Sequence, residues 1–361
     1  MTSNEAEAGL PEIPGRYPED ASGTRIGVAF SGGVDSAVSV RLLQEQGYAV
    51  EAWHMLTCTD EAEPRVYEVA EALGVPLHVL DLREVFERDV VSPFYAGYAR
   101  GETPNPCLFC NPRLKFGVLR RAIGGLMATG HYVRRGIDAD TGLPALFKAP
   151  DPKKDQSYFL CQLSSDAIRD VRFPVSSFSR AQVVALARAW HLPIPESKLS
   201  SGSQDICFLP DGDYRPELCR RFPETAAPGD VLNPDGNVIG RHTGLANYTR
   251  GQRKGLGVAT GSRAFVVNFD RSRNTLTLGP KEMLEISEFP VHSIVWQIPP
   301  SAFPFRCEAV TRYHHRPFAC TVSDTGLVTA EMPQTLVTPG QACAFYRNET
   351  LLGGGIIGHS V

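Results

Sequence analysis

The stretch that decides the fold is Ser31-Gly32-Gly33-Val34-Asp35-Ser36, which directly follows the apolar run Ile26-Gly27-Val28-Ala29-Phe30. The apolar run predicts a buried β-strand, and residues 37–46 predict the helix that follows the loop. Adjacent glycines let the backbone approach an anion closely, and the amides at the start of a helix attract one. The stretch therefore predicts a phosphate-binding loop between a strand and a helix.

The charge of this loop indicates what it binds. Asp35 would repel phosphate unless a divalent cation lay between them, so the loop predicts magnesium as well as a nucleotide. No Gly-Lys-Ser/Thr follows, so the loop is not a Walker A sequence. It resembles the loop of the PP-loop ATP pyrophosphatases, which split ATP between its α and β phosphates to adenylate an oxygen. A glycine-rich turn without a ligand is the alternative.

The composition is that of an ordinary globular protein. The chain has 361 residues, of which 42% are hydrophobic and 21% charged, enough for about two or three domains. No stretch approaches the roughly 18 apolar residues of a membrane span, and no secretory leader is evident. Nine cysteines, an odd number, favour reduced thiols over a disulfide framework. These features predict a cytoplasmic protein with no membrane partner.

The order of the predicted elements defines the fold class. Strands and helices alternate through the first half, which predicts an α/β domain with a parallel sheet and a ligand crevice at the carboxyl ends of its strands. A stretch rich in Pro, Gly and Asn follows, and then short alternating segments that predict an all-β barrel. The predicted domains are a disordered extension (1–23), a PP-loop catalytic domain (24–208), a small turn-rich central module (209–281) and a C-terminal β-barrel (282–361).

Three cysteines stand out by their position. Cys107 and Cys110 form one CxxC pair, and Cys207 stands alone in Asp205-Ile206-Cys207-Phe208. A zinc ribbon needs four ligands, and this spacing is not repeated. A thioredoxin-like pair opens a helix after a strand, whereas the prolines around this pair predict a loop. Structural zinc and simple packing remain as alternatives to a catalytic role.

Further motifs occur in order along the chain. They are Thr103-Pro104-Asn105-Pro106, Cys110-Asn111, Lys115-Phe116, Ala128-Thr129-Gly130-His131-Tyr132, Lys154-Asp155-Gln156-Ser157-Tyr158-Phe159-Leu160, Tyr248-Thr249-Arg250-Gly251-Gln252-Arg253-Lys254-Gly255-Leu256-Gly257, Pro339-Gly340-Gln341 and Leu352-Gly353-Gly354-Gly355. In this series the chain resembles the tRNA-specific 2-thiouridylases. That family replaces the C2 oxygen of the wobble uridine of tRNA with sulfur. Adenylation by ATP makes this oxygen a good leaving group, and AMP departs when sulfur adds.

The resemblance implies a set of binding residues. The implied ATP site consists of Ala29, Phe30, Ser31, Gly32, Gly33, Val34, Asp35, Ser36, Met55 and Gly130. The implied contacts to the target base are Asn105, Pro106 and Cys107, and those to tRNA are His131, Lys154, Asp155, Gln156, Arg312, Tyr313 and Gln341. Basic runs near residues 148–154, 241–254 and 312–316 suit the phosphates of a folded RNA, and the central module is expected to contact tRNA. The implied partners are tRNA and a sulfur donor such as a cysteine desulfurase or a sulfur-relay protein.

The resemblance also implies roles for the three cysteines. It assigns Cys110 as the nucleophile and Cys207 as the carrier of a persulfide. The family has an acidic residue or a cysteine at the position of Cys107, and a thiol replaces a carboxylate poorly in acid–base chemistry. Three thiolates could instead hold three irons of a [4Fe-4S] cluster and leave the fourth for hydrosulfide. Persulfide relay and cluster-bound sulfide both remain open.

Two other functions share some of these features. An amide-forming ligase would use the same ATP loop, but it predicts no essential cysteine and usually a glutaminase partner. A non-catalytic RNA-binding iron–sulfur protein would keep the cysteines, but the intact Ser31, Asp35 and Ser36 argue against a vestigial ATP loop.

Overall fold

The computed structural model describes residues 11–200, 206–209, 211–259, 261–335 and 337–359, without the side chain of Ser200. The strands are β1 (Arg25–Ala29), β2 (Ala49–Leu56), β3 (Leu77–Asp81), β4 (Leu126–Ala128), β5 (Arg134–Ile137), β6 (Pro144–Phe147), β7 (Val171–Arg172), β8 (Gly229–Leu232), β9 (Val238–His242), β10 (Phe265–Asp270), β11 (Thr275–Gly279), β12 (Ile286–Trp296), β13 (Phe305–Val310), β14 (Phe318–Val322), β15 (Leu327–Gln334), β16 (Ala342–Arg347) and β17 (Thr350–Ile357).

The helices are α1 (Val34–Glu45), α2 (Pro64–Ala72), α3 (Arg83–Phe86), α4 (Ser92–Ala99), α5 (Cys107–Cys110), α6 (Arg120–Ile123), α7 (Ser165–Arg169), α8 (Arg180–Ala189), α9 (Glu196–Ser200) and α10 (Arg215–Arg221). Two π-helical segments cover Glu87–Val91 and Asn111–Leu119. Short 3₁₀ turns cover Ser157–Leu160, Pro174–Ser177, Pro223–Ala226, Leu245–Asn247 and Lys281–Leu284.

These elements form two compact units. Unit 1 comprises residues 1–86 and 111–204, and unit 2 comprises residues 87–110 and 205–361. Residues 87–110 therefore group with the C-terminal modules, although the sequence analysis placed them in the PP-loop domain. The reason is packing over long sequence distances: Tyr98 stacks on Tyr214 with ring centroids 3.9 Å apart, and Phe94 packs edge-on against Phe208.

Unit 1 contains the predicted parallel sheet. Its strand order is β3-β2-β1-β4-β7, and every neighbouring pair is parallel. Ile26 and Val28 of β1 are fully buried, as a central strand covered on both faces requires. The order changes direction at β1, since β2 pairs with one of its edges and β4 with the other. The carboxyl ends of β1 and β4 thus flank the switch point at which such sheets bind ligands.

Residues 11–23, which precede β1, are held against the sheet of unit 1 by Arg172 of β7. The predicted disordered extension covered residues 1–23; residues 1–10 lie outside the described part of the chain, but residues 11–23 are described. The Arg172 side chain is 2% exposed and donates to both Asp20 oxygens, at 2.8 and 2.7 Å. The Tyr17 ring lies 4.8 Å from the Arg172 Cζ atom, and the Tyr48 hydroxyl donates to Asp20 at 2.6 Å. A buried arginine that needs a carboxylate explains why this segment is ordered.

Unit 2 contains the two predicted C-terminal modules. A four-stranded sheet of order β10-β11-β8-β9 surrounds a small apolar core that includes Val231, Val266 and Leu276. The next six strands are antiparallel in the order β12-β15-β14-β13-β16-β17, and β12 pairs with β17 to close a barrel. The fold class predicted from the sequence is confirmed. No helix in the described ranges has both the length and the apolar composition needed to cross a bilayer.

The surroundings of the CxxC pair differ from the prediction. The pair was predicted to lie within a proline-rich loop, but Cys107–Cys110 is itself a helical turn, α5, so that prediction is wrong. Pro106 immediately precedes the turn. Its fixed φ and missing N–H cost nothing at a helix start, so a proline there marks the beginning of a helix as readily as a loop.

The pairing of Asp20 with Arg172 generates a stability prediction. We expect Asp20→Asn to lower the free energy of unfolding by about 3 kcal/mol, because it removes the two-point carboxylate partner of a buried guanidinium and leaves only the Glu19 carboxylate, 3.4 Å away. Burial acts to raise the pKa of Asp20, but the hydrogen bonds from Arg172 and Tyr48 outweigh it and hold that pKa below its ordinary 3.8. The difference between wild type and variant should therefore persist from pH 7 down to about pH 4 and disappear only below that.

Urea unfolding of the full chain at several pH values measures this effect. Glu12→Gln, at an exposed position of the same segment, is the matched control and should change stability little. Equal stability of the Asp20 and Glu12 variants at pH 7 would contradict the assignment.

Candidate active site

The phosphate loop occupies the predicted position between β1 and α1. Gly32 has φ +67°, and a Cβ atom there would lie 3.1 Å from the Val66 Cα atom, so the turn requires glycine. The Ser36 hydroxyl donates to the Gly33 carbonyl at 2.9 Å and shapes the loop from within. Ser31 is exposed at the tip. The backbone amides at the start of α1, not the Ser36 hydroxyl, are the groups most directly presented to an anion.

The Asp35 carboxylate is neutralised by the protein itself. Its Oδ1 atom accepts a hydrogen bond from the Tyr132 hydroxyl at 2.6 Å and one from Arg180 Nη1 at 2.5 Å. Burial acts to lower the pKa of Arg180, but the Asp35 charge and Tyr132 outweigh it, so the guanidinium stays charged. The sequence predicted magnesium in this role, and no local pattern identified Arg180. Both hydrogen bonds end on Oδ1.

Two residues expected to contact tRNA, Asp155 and Gln156, also support the backbone around Tyr132. Gln156 and Tyr132 exchange two hydrogen bonds of 2.9 Å, one from the Tyr132 N–H to the Gln156 side chain and one from the Gln156 N–H to the Tyr132 carbonyl. The Asp155 carboxylate accepts from the Ala149 N–H at 2.8 Å and the Ser157 hydroxyl at 2.7 Å. Both side chains thereby fix the backbone that presents Tyr132 to Asp35. Lys154, beside them, is half-buried.

The segment after β4 meets the phosphate loop at Gly130. A Cβ atom on Gly130 would lie 2.9 Å from the Asp35 carbonyl carbon, so only glycine permits this approach. His131 follows, and its Nδ1 lies 2.8 Å from the Thr129 hydroxyl. Burial, reinforced by the charge of Lys115, holds the pKa of His131 well below 6.5. The imidazole is therefore neutral at physiological pH and acts as a hydrogen-bonding group, not as a cation for RNA.

The remaining residues of the predicted ATP site offer mainly backbone groups. Phe30 and Val34 are 3% and 4% exposed and belong to the core of unit 1, so their side chains are not available to a ligand. Ala29 ends β1, and Met55 lies near the end of β2; both are half-buried. The structure thus gathers the phosphate-loop residues and Gly130 at one end of the parallel sheet.

The CxxC pair begins a short, well-anchored helical turn in unit 2. The Asn105 side-chain oxygen accepts from the Cys107 N–H at 3.0 Å, and the Pro106 carbonyl accepts from the Cys110 N–H at 2.9 Å. Leu108, on the opposite side of the turn, is 1% exposed. Cys107 is exposed and Cys110 is half-buried. Asn105 and Pro106, expected at the target base, therefore also build the turn that presents the two thiols.

Cys207 lies on a separate turn of unit 2. The Leu209 N–H donates to the Ile206 carbonyl at 2.9 Å, and the Cys207 side chain is exposed. The adjacent Phe208 packs against Phe94 of α4 with ring centroids 5.2 Å apart, in an edge-to-face arrangement. Asp205 of the same motif lies outside the described residues. The aromatic anchor holds Cys207 at the surface of unit 2.

The three cysteines do not form a metal site in this structure. Throughout the described segments, no three or more His, Cys, Asp or Glu side chains lie close enough together to hold a metal ion. Cys107 and Cys110 share one turn, whereas Cys207 belongs to another. Among the described residues, the three thiols are therefore not gathered as the ligands of one cluster.

The residues expected to meet tRNA in unit 2 are placed differently from one another. Arg312 is exposed on the turn after β13, and the ring of Tyr313 beside it lies 3.8 Å from that of His314. Gln341 instead donates its side-chain amide to the Thr103 carbonyl. Arg250 is half-buried, and burial lowers its pKa. Arg312 therefore lies at the surface, and Tyr313 beside it is half-buried.

Three protein-family models match the chain in succession. A model described as the tRNA methyl transferase HUP domain matches residues 24–211, one described as the tRNA methyl transferase PRC-barrel domain matches 218–280, and one described as the aminomethyltransferase beta-barrel domain matches 286–357. Their succession follows the parallel sheet, the central sheet and the closed barrel.

Curated proteins match over nearly the whole chain. The tRNA-specific 2-thiouridylase MnmA of Desulforudis audaxviator is 39% identical over 344 residues, which cover 93% of this chain and 99% of that protein. The protein of the same name from Chloroflexus aggregans is 41% identical over 352 residues, covering 91% of this chain and 97% of that protein.

Solved structures resemble the chain only slightly. The U34-tRNA thiolase NcsA from Methanococcus maripaludis, solved with its [4Fe-4S] cluster, aligns at a TM-score of 0.31 with 16% identity, over 56% of this chain and 67% of that one. So distant a likeness carries no argument about the cysteines of this chain.

The pairing of Asp35 with Arg180 generates a prediction for ATP binding. We expect Arg180→Gln to weaken ATP binding about tenfold, since it leaves an uncompensated negative charge among the groups that would hold phosphate. Arg180→Lys keeps the charge and should recover part of the loss. Arg188→Gln is the control, because Arg188 lies on the same helix but is exposed and paired with Glu196. Isothermal titration with ATP measures the effect; equal affinities of the Arg180→Gln and Arg188→Gln variants would contradict it.

Proposed function

This chain belongs to the tRNA-specific 2-thiouridylase MnmA family, and from that membership we propose which of its residues carry out each part of the reaction. The chain is a tRNA-uridine 2-sulfurtransferase of the PP-loop class. The single observation that carries the assignment of residues is the division between the units: the phosphate loop lies in unit 1 and all three candidate cysteines lie in unit 2.

The first step belongs to unit 1. ATP binds with its phosphates at the amides that open α1, and the C2 oxygen of the wobble uridine attacks the α-phosphorus, so that pyrophosphate leaves. Arg180 and Tyr132 balance the Asp35 charge, which keeps the loop attractive to a polyanion. A magnesium ion, when bound, would reduce the charge of the leaving pyrophosphate, and Asp35 is the residue placed to hold it.

The second step belongs to the cysteines of unit 2. A sulfur donor leaves a persulfide on Cys207, whose exposed position suits access by a protein or a small molecule. The terminal sulfur adds to C2 of the adenylated uridine, and AMP leaves. The Cys110 thiolate then attacks the inner sulfur of Cys207; the S–S bond to the transferred sulfur breaks, 2-thiouridine is released, and a Cys110–Cys207 disulfide forms. An external thiol reduces this disulfide before the next cycle.

The partners follow from the chemistry. The substrate is tRNA, and the exposed Arg312 with the neighbouring Tyr313 supplies a positive charge and an aromatic ring, which suit phosphate and base contacts. The sulfur donor is a carrier of persulfide sulfur, such as a cysteine desulfurase or a relay protein. Reduced cysteines and a tRNA substrate both suit the cytoplasm.

The assignment of Cys110 and Cys207 is tested by single substitutions. We expect Cys110→Ser and Cys207→Ser each to lower 2-thiouridine formation by at least about a hundredfold, since each removes a sulfur that forms or breaks a bond in the reaction. Pyrophosphate release should persist in both, because neither residue belongs to the phosphate loop. Mass spectrometry of nucleosides from tRNA incubated with ATP, magnesium and a persulfide donor measures the product.

Cys219→Ser is the matched control, since Cys219 is a half-buried cysteine of the same unit. It should keep near wild-type activity. Full thiolation by Cys110→Ser would remove Cys110 from the mechanism, and an absence of 2-thiouridine with the wild-type protein and every donor would overturn the proposed function.

A Cys107→Ser variant distinguishes a persulfide-relay mechanism from one that uses a [4Fe-4S] cluster. After anaerobic purification we expect Cys107→Ser to retain at least about a third of wild-type thiolation, because Cys107 forms no bond to sulfur in the relay. Iron and acid-labile sulfide are measured on the same samples. Stoichiometric iron in the wild type that is lost together with activity in Cys107→Ser would show that the relay is wrong.

A further inference from the structure

The segment that leads into the CxxC turn is held by a strand of the C-terminal barrel. We call residues 100–106 the lead-in loop. The Thr103 N–H donates to the Pro339 carbonyl at 2.8 Å, and the Gln341 side-chain amide donates to the Thr103 carbonyl. Both backbone groups of Thr103 are therefore bonded to residues directly preceding β16. Because both its N–H and its carbonyl are bonded, Thr103 is held in a fixed position relative to the residues preceding β16.

The contact is close enough to require a glycine between the two bonding residues. Gly340 has φ +88°, and a Cβ atom there would lie 2.8 Å from the Glu102 Cβ atom and 3.1 Å from the Thr103 nitrogen. Glu102 is also bonded to Arg100 at 2.8 Å, within the lead-in loop itself. The barrel backbone at Gly340 therefore packs directly against Glu102 and Thr103, in the middle of the lead-in loop.

The start of the lead-in loop is held by the central module. Arg271, on the turn between β10 and β11, donates from Nη2 to the Tyr98 carbonyl at 2.7 Å. Tyr98 belongs to the last turn of α4, where a cation is favourable, and its carbonyl also accepts the Gly101 N–H at 3.0 Å. Gly101 has φ +84°, and a Cβ atom there would lie 3.0 Å from Arg271 Nε. Arg271 therefore caps the carboxyl end of α4, directly before the lead-in loop begins.

The end of the lead-in loop sets the cysteine turn. Asn105 and Pro106 supply the acceptors for the Cys107 and Cys110 N–H groups, as described above. A displacement of the loop would therefore move the two thiols with it. Arg271 and Gln341 hold the loop on either side of residues 100–102, although neither is a neighbour of the cysteines in sequence.

We propose that Arg271 and Gln341 are positioning residues for sulfur transfer. They hold the lead-in loop and thereby fix the position of the turn that carries Cys107 and Cys110. This inference rests on the proposed function. It gives Gln341 a role different from the tRNA contact expected from the resemblance. It also makes the central module and the barrel part of the support of the cysteines, in addition to any part they have in binding RNA.

We expect a displaced lead-in loop to reduce sulfur transfer to the adenylated uridine without reducing the adenylation itself. Adenylation uses the phosphate loop, and none of its residues lies in the lead-in loop. When the thiols are misplaced, water takes the place of sulfur at the adenylated uridine: it restores uridine and releases AMP, so ATP is consumed without product. A shift of about 1 Å in a reacting group can cost up to roughly a hundredfold in rate.

The test compares variants of two arginines on the same turn. We expect Arg271→Ala to lower the ratio of 2-thiouridine formed to pyrophosphate released roughly tenfold, and Arg271→Lys to restore much of it. Gln341→Ala should act in the same direction. Arg273→Ala is the matched control, since the Arg273 side chain is 79% exposed and its ion pair with Asp270 is long, at 3.8 Å. The product-to-pyrophosphate ratio of this variant should equal that of the wild type.

A second measurement does not depend on enzymatic activity. The rate of alkylation of Cys107 and Cys110 by N-ethylmaleimide, in the absence of ATP and tRNA and followed by peptide mass spectrometry, should change about threefold or more in Arg271→Ala but not in Arg273→Ala. Unchanged alkylation together with an unchanged product-to-pyrophosphate ratio would overturn the proposal. If the wild type makes no 2-thiouridine, the proposed function fails, and the alkylation rates alone decide whether the loop is held as inferred.

Discussion

The interaction on which unit 1 depends is the bonding of the Asp35 carboxylate by Arg180 and Tyr132. A carboxylate in the first turn of a helix is favourable to the helix dipole, but it repels the phosphate that the same amides would bind. Arg180 supplies the counter-charge from α8, and Tyr132 adds a hydrogen bond from the segment after β4. The loop can therefore keep an acidic residue and still attract a polyanion.

This constraint explains several neighbours that have no direct contact with a ligand. Gly130 is glycine because the β4 segment must approach the backbone of Asp35 closely. Gln156 holds the Tyr132 backbone by one side-chain and one main-chain hydrogen bond, and Asp155 holds the turn that carries Gln156. A motif such as Lys154-Asp155-Gln156 can thus be characteristic of a family because it builds the site, whether or not it also touches RNA. Substitutions at Asp155 or Gln156 would therefore disturb the position of Tyr132 beside Asp35.

The sequence was sufficient where structure is determined locally. The strand, loop and helix around Ser31 follow from a short apolar run, two glycines and a helix-forming segment, and the closed barrel follows from alternating strands. Arg180 could not be found, because it meets Asp35 only through the tertiary fold. The helical turn at Cys107 was missed since Pro106 suits both a loop and a helix start. The grouping of residues 87–110 with unit 2 depends on aromatic packing, which no local pattern encodes.

Helix α4 connects the two cysteine-bearing segments of unit 2. Phe94 of α4 packs against Phe208, next to Cys207, and the carboxyl end of the same helix leads into the loop that ends at Cys107. One helix therefore supports both cysteine-bearing segments. Tyr98 adds a stacked contact to Tyr214, and Arg271 caps the Tyr98 carbonyl, so α4 is itself held from two sides. Cys207 is exposed and Cys110 is half-buried, so Cys207 is the more accessible of the two to a sulfur donor, while the shared packing on α4 holds both segments.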